Sequence, residues 1–223
     1  MKQALKYQQQ TGQDAVYFDA ARSQLSDALD VDNCFVSGTL ITTMRGKVPV
    51  EDLQDGDKVL TRDRGFQPVC WHGYQTIDLT TDPDARAHCP VLLRADALGP
   101  AQPERDMLVS PKHQILNINQ NLMAEFGQYE SLIEARKLIG KPGIERVKVD
   151  SVTYHHLLFD RHEVILSDNL WSESFFLTPK VAEMLRACCQ RTGQADFLPD
   201  LSQTGARTAH TPARPSADIL ALF

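Results

Sequence analysis

Long apolar runs are missing from this 223-residue chain. The longest are short pieces such as Val91-Leu92-Leu93, far below the ~18 apolar residues of a spanning helix, so no membrane-crossing helix is expected. The first ten residues, MKQALKYQQQ, have no apolar stretch of the kind that marks a secretion signal, and the expected compartment is the cytoplasm, with export by another route still compatible. Positive charge is scarce. Lys and Arg total 23 against 29 Asp and Glu, a formal net charge of -6, which disfavours a protein that grips nucleic acid through a broad basic face. Cysteine is sparse and irregular: Cys34, Cys70, Cys89, Cys188 and Cys189 make an odd count with no Cys-x-x-Cys. That argues against a disulfide framework, a zinc ribbon or a thioredoxin-type redox pair. There is no phosphate-binding glycine loop, no Gly-x-Ser-x-Gly elbow, no His-Glu-x-x-His and no repeat at a fixed period. No cofactor is implied.

What remains is ordinary globular composition, 42% apolar and 23% charged, in a chain long enough to bury its own core. Three regions differ in character. Residues 1–33 are Gln-rich and then carry Phe18, Ala21, Leu25 and Leu29 at helical spacing, which predicts an amphipathic leader helix. Residues 34–177 read as a mainly β domain. Short β-branched or apolar runs recur, among them Leu40-Ile41-Thr42-Thr43, Lys58-Val59-Leu60-Thr61, Val69-Cys70-Trp71, Val91-Leu92-Leu93, Gln114-Ile115-Leu116, Glu145 to Val149 and Glu163 to Leu166. They are punctuated by turn signals such as Asp55-Gly56 and Lys141-Pro142-Gly143. Leu132, Ala135, Leu138 and Ile139 fall on one helical face and predict a helix over 132–139 inside this domain. Residues 178–223 begin with a Thr178-Pro179 cap that predicts a helix over 179–190, followed by a Ser-, Pro- and Ala-rich tail.

Three places could carry chemistry. Cys34 stands at the junction of leader and β domain. A lone Cys is most often a small buried hydrophobe, so its position is what singles it out. Ser110-Pro111-Lys112-His113 interrupts two apolar runs, and Pro111, which cannot donate to a ladder, would turn Ser110 and His113 out of the sheet; the plain alternative is a solvated His in a capped turn. Tyr154 to Leu166 holds His155, His156, Asp160, Arg161 and His162. In an unbroken strand Asp160 and His162 share a face, whereas His155 and His156 point to opposite faces.

The order of these three places resembles the Hedgehog/intein (Hint) family, in wording similar to a bacterial branch of it. The resemblance rests on Cys34-Phe35-Val36-Ser37-Gly38-Thr39-Leu40-Ile41 followed by Val50-Glu51-Asp52-Leu53-Gln54-Asp55-Gly56-Asp57-Lys58-Val59. It continues through Ser110-Pro111-Lys112-His113-Gln114-Ile115-Leu116 and ends with His155 to Leu166 and Ser167-Asp168-Asn169-Leu170-Trp171-Ser172-Glu173-Ser174. It spans about residues 34–177 and implies a compact, pseudo-symmetric all-β fold with self-cleaving chemistry. Cys34 is then expected to attack the carbonyl carbon of Asn33 and convert the amide to a thioester. Asp160 or His162 would accept the thiol proton, His113 would act as general acid, and Ser110 would hold the scissile peptide. The substrate would be the chain's own N-terminal segment. The acceptor that resolves the thioester, water or another nucleophile, is not named by the sequence. Inteins end in His-Asn; here Trp171-Ser172-Glu173-Ser174 occupies that place, so cleavage without splicing is expected. Two alternatives stay open: a Hint-fold scaffold or binding module that does not cleave, and a zinc site built from Cys34, His155 and His162.

Overall fold

The structure is a computed structural model and describes residues 33–118 and 130–175. The expected leader helix and the helix over 179–190 lie outside the described residues.

The described chain is mostly β, with two sheets whose named strands all pair antiparallel. The first sheet has the order β11-β7-β8-β1-β12-β6. Its members are β1 (Phe35–Val36), β6 (Trp71–Asp78), β7 (Val91–Leu93), β8 (Met107–Val109), β11 (Ile144–Arg146) and β12 (Ser151–Leu158). The second follows β10-β9-β14-β13-β2-β4-β5, with β3 on β2. It contains β2 (Leu40–Thr43), β3 (Gly46–Pro49), β4 (Lys58–Thr61), β5 (Gly65–Pro68), β9 (Gln114–Ile118), β10 (Glu130–Glu134), β13 (Val164–Ser167) and β14 (Leu170–Glu173). One short helix, α1 (Ala85–His88), precedes β7. Tight glycine turns make these reversals possible: Gly46 in the β2–β3 hairpin and Gly65 in the β4–β5 hairpin hold positive φ, which costs a residue without Cβ little.

The main core draws on both sheets. Phe35, Val91, Val109 and Leu157 from the first meet Ile41, Val59, Ile115, Ile133 and Ile165 from the second. Each such side chain contributes roughly 1.5–3 kcal/mol when fully buried. Short strands from both sheets therefore share one interior.

The expected helix over 132–139 is not there. Residues Glu130–Glu134 form β10, laddered on β9 from Glu130↔Ile118 to Glu134↔Gln114, and Ala135–Leu138 is a 3-10 turn. The apolar spacing had two sources. Leu132 and Ile133 are both buried in the hairpin, and the three-residue period of a 3-10 turn puts Ala135 and Leu138 on the same inner side. Two strand expectations are also shifted. Val69 and Cys70 form the break between β5 and β6, and β11 ends at Arg146, short of Val149.

Candidate active site

At the centre of the first sheet three residues stand in a row: His156 on β12, Cys34 just before β1 and Ser110 just after β8. Phe35 pairs with His155 on β12 and with Val109 on β8. One residue earlier in β1's direction, the antiparallel register sets Cys34 between His156 and Ser110. All three are fully buried. On one side the Cys34 amide N–H donates to Ser110 Oγ at 3.0 Å, and the Ser110 N–H donates back to the Cys34 carbonyl at 3.0 Å. On the other side the Cys34 Sγ lies 3.5 Å from both Nδ1 and Nε2 of His156, so the contact does not select a tautomer. Cys34 also belongs to an apolar cluster with Val36, Leu79, Cys89, Val152 and Tyr154.

The residue before the cysteine is strained. Asn33 has φ 55° and is buried. Left-handed backbone costs an L-residue about 1–2 kcal/mol, and Asn tolerates it better than most. That strain sits on the carbonyl side of the Asn33–Cys34 peptide.

His113 faces the same peptide. The turn that carries it is pinned at both ends. Its N–H donates to the Ser110 carbonyl, and its own carbonyl accepts from Ala135 N–H. The Phe35 ring meets the imidazole edge to face at 4.6 Å between centroids. Burial pushes the His113 pKa down to about 3, and only the Asn33 backbone acts against that. A backbone group that raises a histidine pKa is an acceptor, so the ring approaches the Asn33 carbonyl. Neither ring nitrogen closes a hydrogen bond of normal geometry; the carbonyl is near the ring without being held by it. His156 is also pushed down to about 3, first by burial and then by the neighbouring rings of His155 and His72. Both imidazoles are therefore neutral near pH 7.

The remaining expected site residues stand elsewhere. The strand carrying the histidines is broken: β12 stops at Leu158 and Asp160 lies in the following turn. The Asp160 side chain is half exposed and forms a salt bridge with Arg64, so it does not share a strand face with His162. His162 is buried and pairs with Glu173 Oε1 at 2.6 Å. The imidazole on the cysteine sulfur is His156, which the sequence offered only as half of a doublet. Alternation already puts one member of that doublet on each face; the missing signal was which strand lies beside Cys34. The zinc trio is not assembled. His155 turns to the face of β12 opposite Cys34 and bonds to Ser37 and His72, and among the described residues no group of three metal-binding side chains forms.

His156 has a further support. Its cross-strand partner is Gly73, and a Cβ there would lie 2.0 Å from the Trp71 ring. The indole takes the place of the missing side chain on the same strand face. At the other edge, the Phe175 ring packs edge to face on His156 at 4.8 Å.

A model of the Hint domain matches residues 33–179, more than half of the chain, and the chain belongs to the Hint domain family. Among solved structures, it is similar to the bacterial intein-like domain from Clostridium thermocellum, at 16% identity and TM-score 0.43, over 64% of this chain and 99% of that one. It is also similar to a DnaB intein from Synechocystis sp., at 11% identity and TM-score 0.42, over 64% of this chain and 98% of that one. No curated protein matches the sequence. Among the described residues, no helix is long and apolar enough to cross a membrane.

Proposed function

We propose that this Hint domain cleaves its own chain at Asn33–Cys34 by an N–S acyl shift, with the thioester resolved by water or another nucleophile and without splicing. The observation that carries the reading is the scissile peptide itself. Its nitrogen is bonded to Ser110, its carbonyl residue is in left-handed backbone, and its two flanking imidazoles are buried and neutral.

The steps follow from those positions. The Cys34 thiol passes its proton to His156, the ring at the sulfur. The sulfur adds to the Asn33 carbonyl carbon, and charge develops on an oxygen beside the His113 ring, whose N–H stabilises it. Relief of the Asn33 backbone favours this step. The proton that His156 took from the sulfur moves on to His113, and as the C–N bond breaks the charged His113 ring gives a proton to the Cys34 nitrogen as general acid, while Ser110 Oγ keeps that nitrogen from swinging back. One proton leaves sulfur and one reaches nitrogen, and both imidazoles end neutral, so the charge of the site is unchanged. An amide is more stable than a thioester, so the thioester is drawn forward only when an acceptor consumes it.

Splicing would need an Asn to cyclise at the far end. Trp171-Ser172-Glu173-Ser174 stands there. Asn169 is in the β13–β14 turn, with its Nδ2 donated to the Ala101 carbonyl. The direct test is the intact mass of purified protein incubated with dithiothreitol. The expected product is a fragment that begins at Cys34 and continues uncut through residue 174. Protein that stays whole while folded and reduced would support the non-cleaving scaffold instead.

A further inference from the structure

Behind the Cys34 row, on the opposite face of the same strands, Ser37, His155 and His72 form a connected array. The Ser37 Oγ is 2.8 Å from His155 Nε2, His155 Nδ1 is 3.0 Å from His72 Nε2, and His72 Nδ1 is 3.0 Å from the Leu53 carbonyl oxygen. A carbonyl oxygen only accepts, so His72 Nδ1 is the donor at that end. A neutral His72 must then accept at Nε2. His155 must donate from Nδ1 and accept at Nε2, which leaves the Ser37 hydroxyl as the donor. The direction of every bond is fixed from one backbone atom outward. The two imidazoles lie end to end, 5.2 Å between centroids with planes 26° apart, and both are buried, whereas Ser37 is exposed.

We propose that Ser37 is a second nucleophile, independent of Cys34, with His155 as its general base and His72 as the positioning residue that holds the base in the working tautomer. A hydroxyl that donates to an imidazole whose other nitrogen donates to an anchored acceptor is the arrangement that activates serine. The surroundings define the electrophile. The exposed Tyr74 ring stands beside His155 at 5.9 Å and offers an apolar platform. The Glu51 carboxylate accepts the Gly38 N–H at 2.7 Å, and its charge acts on His155. The site therefore suits uncharged acyl or phosphonyl donors that carry an apolar substituent and disfavours anionic ones. In the step, Ser37 Oγ bonds to the acyl carbon or phosphorus, its proton moves to His155 Nε2, and the leaving group departs with that proton. The backbone N–H groups of Ser37, Gly38 and Thr39 are already committed to Thr153, Glu51 and Val36. No donor among these three is spare for an oxyanion, so a slow stoichiometric reaction is expected rather than rapid turnover.

The test uses the full chain and an uncharged alkyl fluorophosphonate, read by intact mass and peptide mapping. One adduct on Ser37 is expected in the wild type and equally in Cys34→Ala, which separates this site from the autoprocessing one. Ser37→Ala should lose the adduct. His155→Gln should slow labelling by about 10²–10⁴-fold, the usual worth of a positioned base. His72→Gln, which can both accept from His155 and donate to Leu53, should retain more labelling than His72→Phe. Absence of a Ser37 adduct in folded wild-type protein would overturn the proposal, as would Ser37 labelling that His155→Gln leaves unchanged while its circular dichroism matches the wild type.

Discussion

The two faces of the β1–β12 pair carry the same side-chain type in adjacent positions, yet treat it differently. On the Ser37 face, His155 has both ring nitrogens bonded and a direction imposed from the Leu53 carbonyl. On the Cys34 face, His156 meets a sulfur at equal distance from its two nitrogens, and beside the same peptide His113 is fully buried with neither nitrogen in a hydrogen bond of normal geometry. Leaving a buried polar atom unpaired costs about 1–3 kcal/mol. The strand pair thus carries on one face a histidine whose bonds are directed from a backbone anchor, and on the other a histidine whose polar contact is the cysteine sulfur, where the proposed proton transfer takes place. The contrast separates a site that is preset from one that is poised, and each side can be tested by breaking it.

The largest effect belongs to the sulfur. Cys34→Ala should abolish thiol-induced cleavage altogether, because no thioester can form; any residual fragment beginning at residue 34 would place the chemistry on another group. Next come the two imidazoles. His113→Ala and His156→Gln should each slow fragment release by about 10²–10⁴-fold, measured as the initial rate in dithiothreitol. His72→Gln, on the other face, should leave that rate nearly unchanged. A loss in all three would mean that the faces are one coupled unit.

The buried imidazoles of both sites also carry a pH signature. His113 and His156 are pushed down to about 3 and His155 to about 4, in each case chiefly by burial. In the unfolded chain each returns to about 6.5. Between these values the unfolded state binds protons that the folded state refuses, so stability is complete above pH 6.5 and is lost as pH falls towards 4 and 3. Each group contributes up to about 1.4 kcal/mol per pH unit, so three together remove about 4 kcal/mol at pH 5.5. Chemical denaturation at pH 7.5 and 5.5 reads the difference, and His156→Gln should remove about a third of it. A stability that is level across this range would show that the three rings are not held neutral together.

Much of the β domain is legible in the sequence because its strands are short apolar runs between glycine turns, and Leu40–Thr43, Lys58–Thr61 and Val91–Leu93 fall where that pattern puts them. The region 132–139 misleads because a spacing of three serves a 3-10 turn as well as a helix. The site divides along the same line. Cys34, Ser110 and His113 are conspicuous as residues in a family order. Which imidazole meets the sulfur depends on a strand pairing across 122 positions, and no local period encodes that register. Asp160 looked eligible only while β12 was taken to run through it; its end at Leu158 frees the turn to go to the surface.

Asp160 supplies the smallest expected effect and the sharpest control. Its carboxylate is 50% exposed and shares Arg64 with the buried Glu163, whose Oε1 lies 2.8 Å from Arg64 Nε. Burial raises the Glu163 pKa and the Arg64 charge opposes it, while the same guanidinium donates to both Asp160 oxygens, so it is shared between an outer and an inner carboxylate. Asp160→Asn removes only the outer, solvent-screened partner. It should cost less than about 1 kcal/mol of stability and leave the cleavage rate within about twofold. Arg64→Ala, by contrast, strands Glu163 in the interior and should cost about 3–5 kcal/mol. If Asp160→Asn slows cleavage as strongly as His156→Gln at unchanged stability, the proton leaves the sulfur by way of the β12–β13 turn and the assignment of His156 as acceptor fails.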